Sequence, residues 1–243
     1  MQKRPGPEKI KGLLGPLLTQ SRRSKISEVL SRRTRYITLV LDDLYHQHNM
    51  SAVVRSCEAF GIQDLHVIEV ENRFSPSHGV AMGAQQWISI VRHHSVSSCI
   101  DVLKTQGYRI LAADPPERAA ETKGKQIFAL EEIDLKDGPV AIALGKELDG
   151  LEPELRKRCD GVTYIPLMGF TESLNVSVTA ALFLFELRRK LERLPRSTWR
   201  LEAKEMERLE ALWYVKSLKR GGKILEDLLK REQAAKQKKK GAM

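Results

Sequence analysis

The sequence predicts an α/β fold in which a mostly parallel sheet carries helices on both faces. Apolar, β-branched segments alternate with segments of helical period from Tyr36 to Ile165. Pro139–Leu144 is apolar at nearly every position, as a strand covered on both sides must be. Gly61 and Gly107 punctuate the pattern, each closing a helical stretch just before the next strand.

In chain order, a Gly/Pro-containing arm comes first, and Ile26, Val29 and Leu30 then share one side of a helix over 22–33. Tyr36–Leu41 is a strand ending at Asp42-Asp43, and a polar loop through His46 and His48 leads to a helix from about Asn49 to Phe60. Leu65–Val70 and Trp87–Val91 are strands, and Val96–Gln106 is a helix. Tyr108–Ala113 and Pro139–Leu144 are strands, Glu152–Arg158 is a helix behind Pro153, and Gly161–Ile165 is the last strand. An apolar, small-residue helix is entered at Ser173-Leu174-Asn175. Beyond Pro195, Trp199–Leu218 and Lys223–Gln233 read as helices divided by Gly221-Gly222. The expected organisation is a basic helical extension over 1–35, the α/β domain over 36–194, and a basic helical extension over 195–243.

Composition narrows the function classes. A chain of 243 residues, 42% hydrophobic, suits one α/β core with terminal additions. No run approaches the roughly 20 apolar residues that span a bilayer, and no apolar signal region opens the chain, so a cytoplasmic protein without membrane contact is expected. Cys57, Cys99 and Cys159, odd in number and widely spaced, fit neither a disulfide framework nor a zinc pattern and read as reduced and structural. The net charge of +10 sits at the ends: 1–35 holds 10 Lys and Arg against 2 Asp and Glu, 186–243 holds 18 against 9, and the stretch between holds 13 against 20. Basic ends around an acidic core suit a polyanion grip laid over a separate chemical centre. Solubility tails are the plainer reading, and the KQKKK run at 236–240 fits disorder.

The loops exclude several ligands. After Leu41 comes DDLYHQHN, which has no glycine, so the loop of a dinucleotide fold or of an ordinary Rossmann methyltransferase is absent, and no P-loop occurs elsewhere. His93-His94 and Asp42-Asp43 lack metal-ligand spacing and read as solvated turns or strand ends, so no metal is expected. Tyr164–Glu186 places polar groups at the carboxyl end of a strand, where open α/β sheets bind ligands. Ser173 and Asn175 there either address a ligand or, in the case of Ser173, merely cap the helix.

Three segments then stand in a distinctive order, each at a strand-to-helix junction. They are Asn49-Met-Ser-Ala52-Val-Val-Arg55, Gly145-Lys-Glu147-Leu-Asp-Gly150, and Ile165-Pro-Leu-Met-Gly169 through Ser173-Leu-Asn175-Val-Ser-Val. Over about residues 36–194 the chain resembles the SpoU branch of the SPOUT RNA methyltransferases. Its basic helical ends make it look like the TrmH-type tRNA (guanosine-2′-O)-methyltransferases, whose target is guanosine 18 of the D-loop.

The resemblance implies a SPOUT fold whose C-terminal segment is threaded into a trefoil knot, a rare exception to the un-knotted rule. It implies S-adenosyl-L-methionine bound among three loops, with Ala113, Gly145, Glu147, Ile165, Leu167 and Leu174 as cofactor residues and Gly145 allowing close backbone approach. Arg55 is nominated for the chemistry, with Asn49, Ser173 and Asn175 as positioning groups. An arginine pKa above about 12 disfavours a general base. A phosphate clamp that also stabilises the developing alkoxide is the easier role. The resemblance further implies a homodimer acting on tRNA. Methylation of ribosomal RNA, a non-catalytic RNA-binding or ribosome-assembly role, and a small-molecule methyltransferase remain alternatives.

Overall fold

The computed structural model describes residues 5–116, 124–146 and 149–241. They gather into two compact units, one of residues 34–200 and one built from 1–33 together with 201–243.

The larger unit is a seven-stranded sheet of β1 (Ile37–Asp42), β2 (Asp64–Ile68), β3 (Ser89–His93), β4 (Arg109–Ala113), β5 (Gln126–Ala129), β6 (Val140–Leu144) and β7 (Gly161–Tyr164). The strand order is β3-β2-β1-β6-β4-β7-β5, and every pairing is parallel. β1 and β6 are buried along their whole length, which is why their sequences carry so little polar relief. Side chains alternate between two apolar layers, as the pleat requires. Ile37, Leu39 and Leu41 face a layer with Val53, Phe183 and Leu187, whereas Val40 and Ala143 face one with Ile100, Leu103 and Leu155. Helices therefore cover both faces.

The expected strands all form, with ends shifted by a residue or two. β5 escapes a sequence reading because it is a four-residue edge strand in which only Ala129 is buried, leaving no alternation to detect.

In the smaller unit the two ends of the chain, separate extensions in the sequence, fold together. The stretch read as an arm contains the helix Pro7–Leu14, with proline in its first turn and Glu8 beside it. Thr19 caps the next helix, Gln20–Leu30, by accepting from the N–H of Arg22 at 3.2 Å. Lys11 pairs with Glu210 of the helix Ala203–Ser217 at 3.0 Å, and the fully buried Arg33 lies 5.3 Å from the Trp213 ring centre. The last helix, Gly221–Gly241, runs on through the KQKKK stretch that composition assigns to disorder. No helix among the described residues is long and apolar enough to cross a membrane.

Candidate active site at the strand carboxyl ends

The helix Gln47–Ala59 packs beside the helix Val176–Leu191, and two asparagines join them. Asn175 caps the second helix: its Oδ1 accepts from the Ser177 N–H at 2.9 Å and from the Ser177 hydroxyl at 2.6 Å. Those bonds fix the amide orientation, so Nδ2 faces the buried Asn49 and donates to its Oδ1 at 3.2 Å. The cap is thus Asn175 and not Ser173, which stands exposed in the loop two residues earlier. Arg55 lies on the same helix as Asn49, is exposed, and donates from Nη1 to the Val80 carbonyl at 3.3 Å. Of the small neighbours on its face, Ala52 is half-buried and Ala59 is exposed.

The proposed cofactor residues come from three adjacent strands. β6, β4 and β7 are neighbours, so Ala113 at the end of β4, Gly145 just after β6 and Ile165 just after β7 open on one edge of the sheet. Ile165 is half-buried against the core, Leu174 is half-buried, and Leu167 is 37% exposed. Among the described residues the backbone of 166–173 makes no main-chain hydrogen bond. Glu147 lies outside the described residues.

At Gly145 the chain makes a close approach to itself. A Cβ there would sit 2.1 Å from the Gly150 carbonyl carbon and 2.3 Å from the Leu151 nitrogen, so the close approach is by the chain itself. Lys146 and Gly150 then exchange both backbone hydrogen bonds, at 2.9 and 3.1 Å, and close the loop.

Asp42-Asp43 is not a solvated strand end. The two carboxylates are 2% and 3% exposed. Asp42 Oδ2 accepts from the Glu152 N–H at 2.7 Å, and burial pushes its pKa up to about 6 against the pull of that bond. Asp43 has positive φ, and its Oδ1 accepts from the N–H groups of Val70, Glu71 and Asn72 at 3.0, 3.1 and 2.8 Å. Burial alone would raise its pKa, but those donors and the Lys146 ammonium, 3.2 Å from Oδ2, hold it below the usual carboxylate value. Asp114, one residue past β4, is buried against Arg156, with Nε 2.5 Å from Oδ2. Sequence reading missed these acids because nothing in a dipeptide shows what will pack over it.

His93 is likewise buried, though His94 is exposed. His66, His93 and Cys99 bring potential metal-ligating atoms within 4.8 Å of one another from three separate elements, a grouping that spacing along the chain hides. The two rings lie 9° from parallel with Nδ1 of His66 2.9 Å from Nε2 of His93, the geometry of a shared N–H···N bond, which already engages both nitrogens. Burial, with His93 alongside, pushes the His66 pKa down to about 4 and keeps that ring neutral.

Three adjacent parallel strands ending side by side, flanked by a helix bearing an asparagine and an arginine, form the arrangement in which α/β proteins hold their ligands. The chain belongs to the SpoU rRNA Methylase family, which residues 36–185 match. A tRNA (guanosine(18)-2′-O)-methyltransferase of Borreliella burgdorferi is 33% identical over 182 residues, 75% of this chain and 79% of that protein. The protein of the same name from Thermus thermophilus is 31% identical over 172 residues, covering 71% and 84%. Among solved structures, the TrmH/SpoU tRNA modifying enzyme of A. aeolicus superposes with a TM-score of 0.71 at 26% identity, over 82% of this chain and 98% of that one. The SpoU methyltransferase AviRb of Streptomyces viridochromogenes, solved with AdoMet, shares the fold at a TM-score of 0.57 and 20% identity, over 69% and 65%.

Proposed function

We propose that this protein transfers a methyl group from S-adenosyl-L-methionine to a ribose 2′-hydroxyl of tRNA, that of guanosine 18 in the D-loop. The observation that carries the reading is the Asn175–Asn49 bond, which ties the helix bearing Arg55 to the loop bearing Ile165, Leu167 and Leu174. Two relatives covered over most of their length carry this activity in their names. The loops fit the cofactor: half-buried Ile165 and Leu174 offer an apolar slot, and the unpaired backbone of 166–173 offers hydrogen bonds for the edge of an adenine. β4 lying between β6 and β7 accords with the trefoil threading of this fold.

The bound cofactor supplies a methyl group already activated on a sulfonium. The protein's remaining task is to align a hydroxyl with it and to manage one proton. Arg55 holds the phosphate beside the target ribose and stabilises the developing alkoxide, with the proton passing to phosphate or water. Asn49 and Asn175 fix the helix that carries it, Ser173 acts as a positioning group, and Glu147 is assigned to the cofactor. The helix face of Val178, Leu182 and Phe185 is exposed at a spacing of four and three residues, which favours a second copy of the chain covering it. The basic ends grip the tRNA, and the enzyme works in the cytoplasm without a metal.

The test is methyl transfer from labelled S-adenosylmethionine to unmodified tRNA transcript carrying guanosine or 2′-deoxyguanosine at position 18. Transfer should occur and vanish with the deoxy nucleotide. Transfer that persists moves the target elsewhere, and transfer to ribosomal RNA alone replaces the substrate.

A further inference from the structure

The loop between β6 and the helix Pro153–Arg158 is stitched from both ends to the carboxyl end of β1. At its far end the Glu152 N–H donates to Asp42 Oδ2 at 2.7 Å. At its near end the Lys146 ammonium lies 3.2 Å from Asp43 Oδ2. Asp43 is itself immobilised by three backbone N–H groups of the 70–72 turn and by the Asn72 amide, so the pair anchors the loop to a fixed point. Between those ends Lys146 pairs with Gly150, and Gly145 lies against Gly150 and Leu151. Leu151 then seats in the apolar layer beside Leu155 and Cys159.

We infer that Asp42 and Asp43 are positioning residues for the S-adenosylmethionine pocket, acting by fastening the 145–152 loop. The inference rests on the function proposed above. Neither carboxylate touches the reacting atoms. Both act through the backbone that Gly145 and its neighbours present. The ionisable groups facing Asp42 are Asp43 beside it, Lys146 and Glu152 on the loop, and Cys99 on the helix Val96–Thr105. Cys99, its thiol pushed up to about 12 chiefly by burial, stays neutral throughout, so Asp42 is the member of this group set to titrate near pH 6.

The experiment measures S-adenosylmethionine affinity by calorimetry, tRNA affinity by filter binding and melting temperature, for the full-length wild type, Asp42→Asn and Lys146→Met. Asp42→Asn keeps the shape but removes the charge from the bond to Glu152, and Lys146→Met cuts the other anchor without entering the core. Each variant should bind the cofactor about tenfold more weakly, with tRNA affinity unchanged and no loss of melting temperature in Asp42→Asn. Between pH 8 and about 5.5 the wild type should lose cofactor affinity more steeply than Asp42→Asn, a comparison that cancels the cofactor's own titration. Wild-type cofactor affinity in both variants overturns the inference while leaving the proposed function intact. A wild type that binds no S-adenosylmethionine removes that function, and this inference with it.

Discussion

Asn175 Nδ2 lies 3.2 Å from Asn49 Oδ1, so residues 126 apart in sequence join the loop after β7 to the helix carrying Arg55. One side chain performs two tasks there, since Asn175 Oδ1 also caps the helix Val176–Leu191. Asn175→Asp separates them. The carboxylate still accepts from the Ser177 N–H at the positive end of the helix, so stability should change by less than about 1 kcal/mol. It has no donor for Asn49, and turnover should fall at least about tenfold as Arg55 loses its fixed bearing. Wild-type turnover in a well-folded Asn175→Asp protein would leave the asparagine as a helix cap and nothing more.

Arg55→Lys keeps the charge and loses the fork. Among the described residues Arg55 bonds to the Val80 carbonyl through Nη1, which leaves the far side of its fork to engage a phosphate in bidentate fashion. The expected result is a drop in kcat of about a hundredfold or more with tRNA affinity close to wild type. Near-normal turnover would take Arg55 out of the chemistry.

Asp42 and Asp43 predict opposite pH effects on stability. Asp42 has a folded pKa raised from 3.8 to about 6, so the native state binds the extra proton and its ionisation above pH 6 is destabilising. Asp43 is lowered, so its contribution is present above its unfolded pKa and is lost as acid takes the pH down through its folded value. Asp42→Asn should therefore be more stable than wild type by about 1–3 kcal/mol at pH 8. The difference should shrink through pH 6 and disappear below about pH 4. Urea unfolding across that range checks it, and a less stable Asp42→Asn at pH 8 would mean that the charge holds the fold as well as the loop.

Gly145→Ala and Gly12→Ala should move stability in opposite directions. The first places a methyl 2.1 Å from the backbone of Gly150, a clash that no side-chain rotation relieves, and should cost more than about 3 kcal/mol. The second lies inside the helix Pro7–Leu14 with nothing within 4 Å, and should stabilise by about 0.5–1 kcal/mol. Thermal melts of the two variants side by side test whether the loop is as tightly closed as its geometry states.

The fold was legible wherever periodicity and punctuation carry it. β1 and β6 declare themselves as apolar runs because both their faces are covered. β5 does not, being a short edge strand with one buried residue. In the site, the segments of Asn49 with Arg55, of Gly145 and of Asn175 stood out as strand-to-helix junctions, while the roles given to their residues came from the resemblance to the SpoU methyltransferases. That Asn175 rather than Ser173 caps the helix could not, because the cap depends on where the backbone turns helical. Gly145 was legible as a place of close approach, and the close approach of Gly150 to it was not. The burial of Asp42, Asp43 and His93 was hidden altogether, because it is set by segments that reach them from far along the chain.

The last prediction concerns the uncovered face of the helix Val176–Leu191. Val178 is 46% exposed, Leu182 38% and Phe185 57%, and Phe60 meets Phe185 edge-on at 6.2 Å, so the apolar stripe continues onto the neighbouring helix. A contiguous apolar patch of this kind marks an interaction surface. A second copy of the chain is the proposed cover, and the same helix is capped by Asn175, so the dimer would also brace the active site. Phe185→Glu places a charge in the centre of that stripe without disturbing the buried face formed by Phe183, Leu184 and Leu187. Light scattering should show the wild type as a dimer and Phe185→Glu as a folded monomer with turnover reduced at least about tenfold. A wild type that is monomeric at micromolar concentration yet fully active would assign the stripe to some other partner.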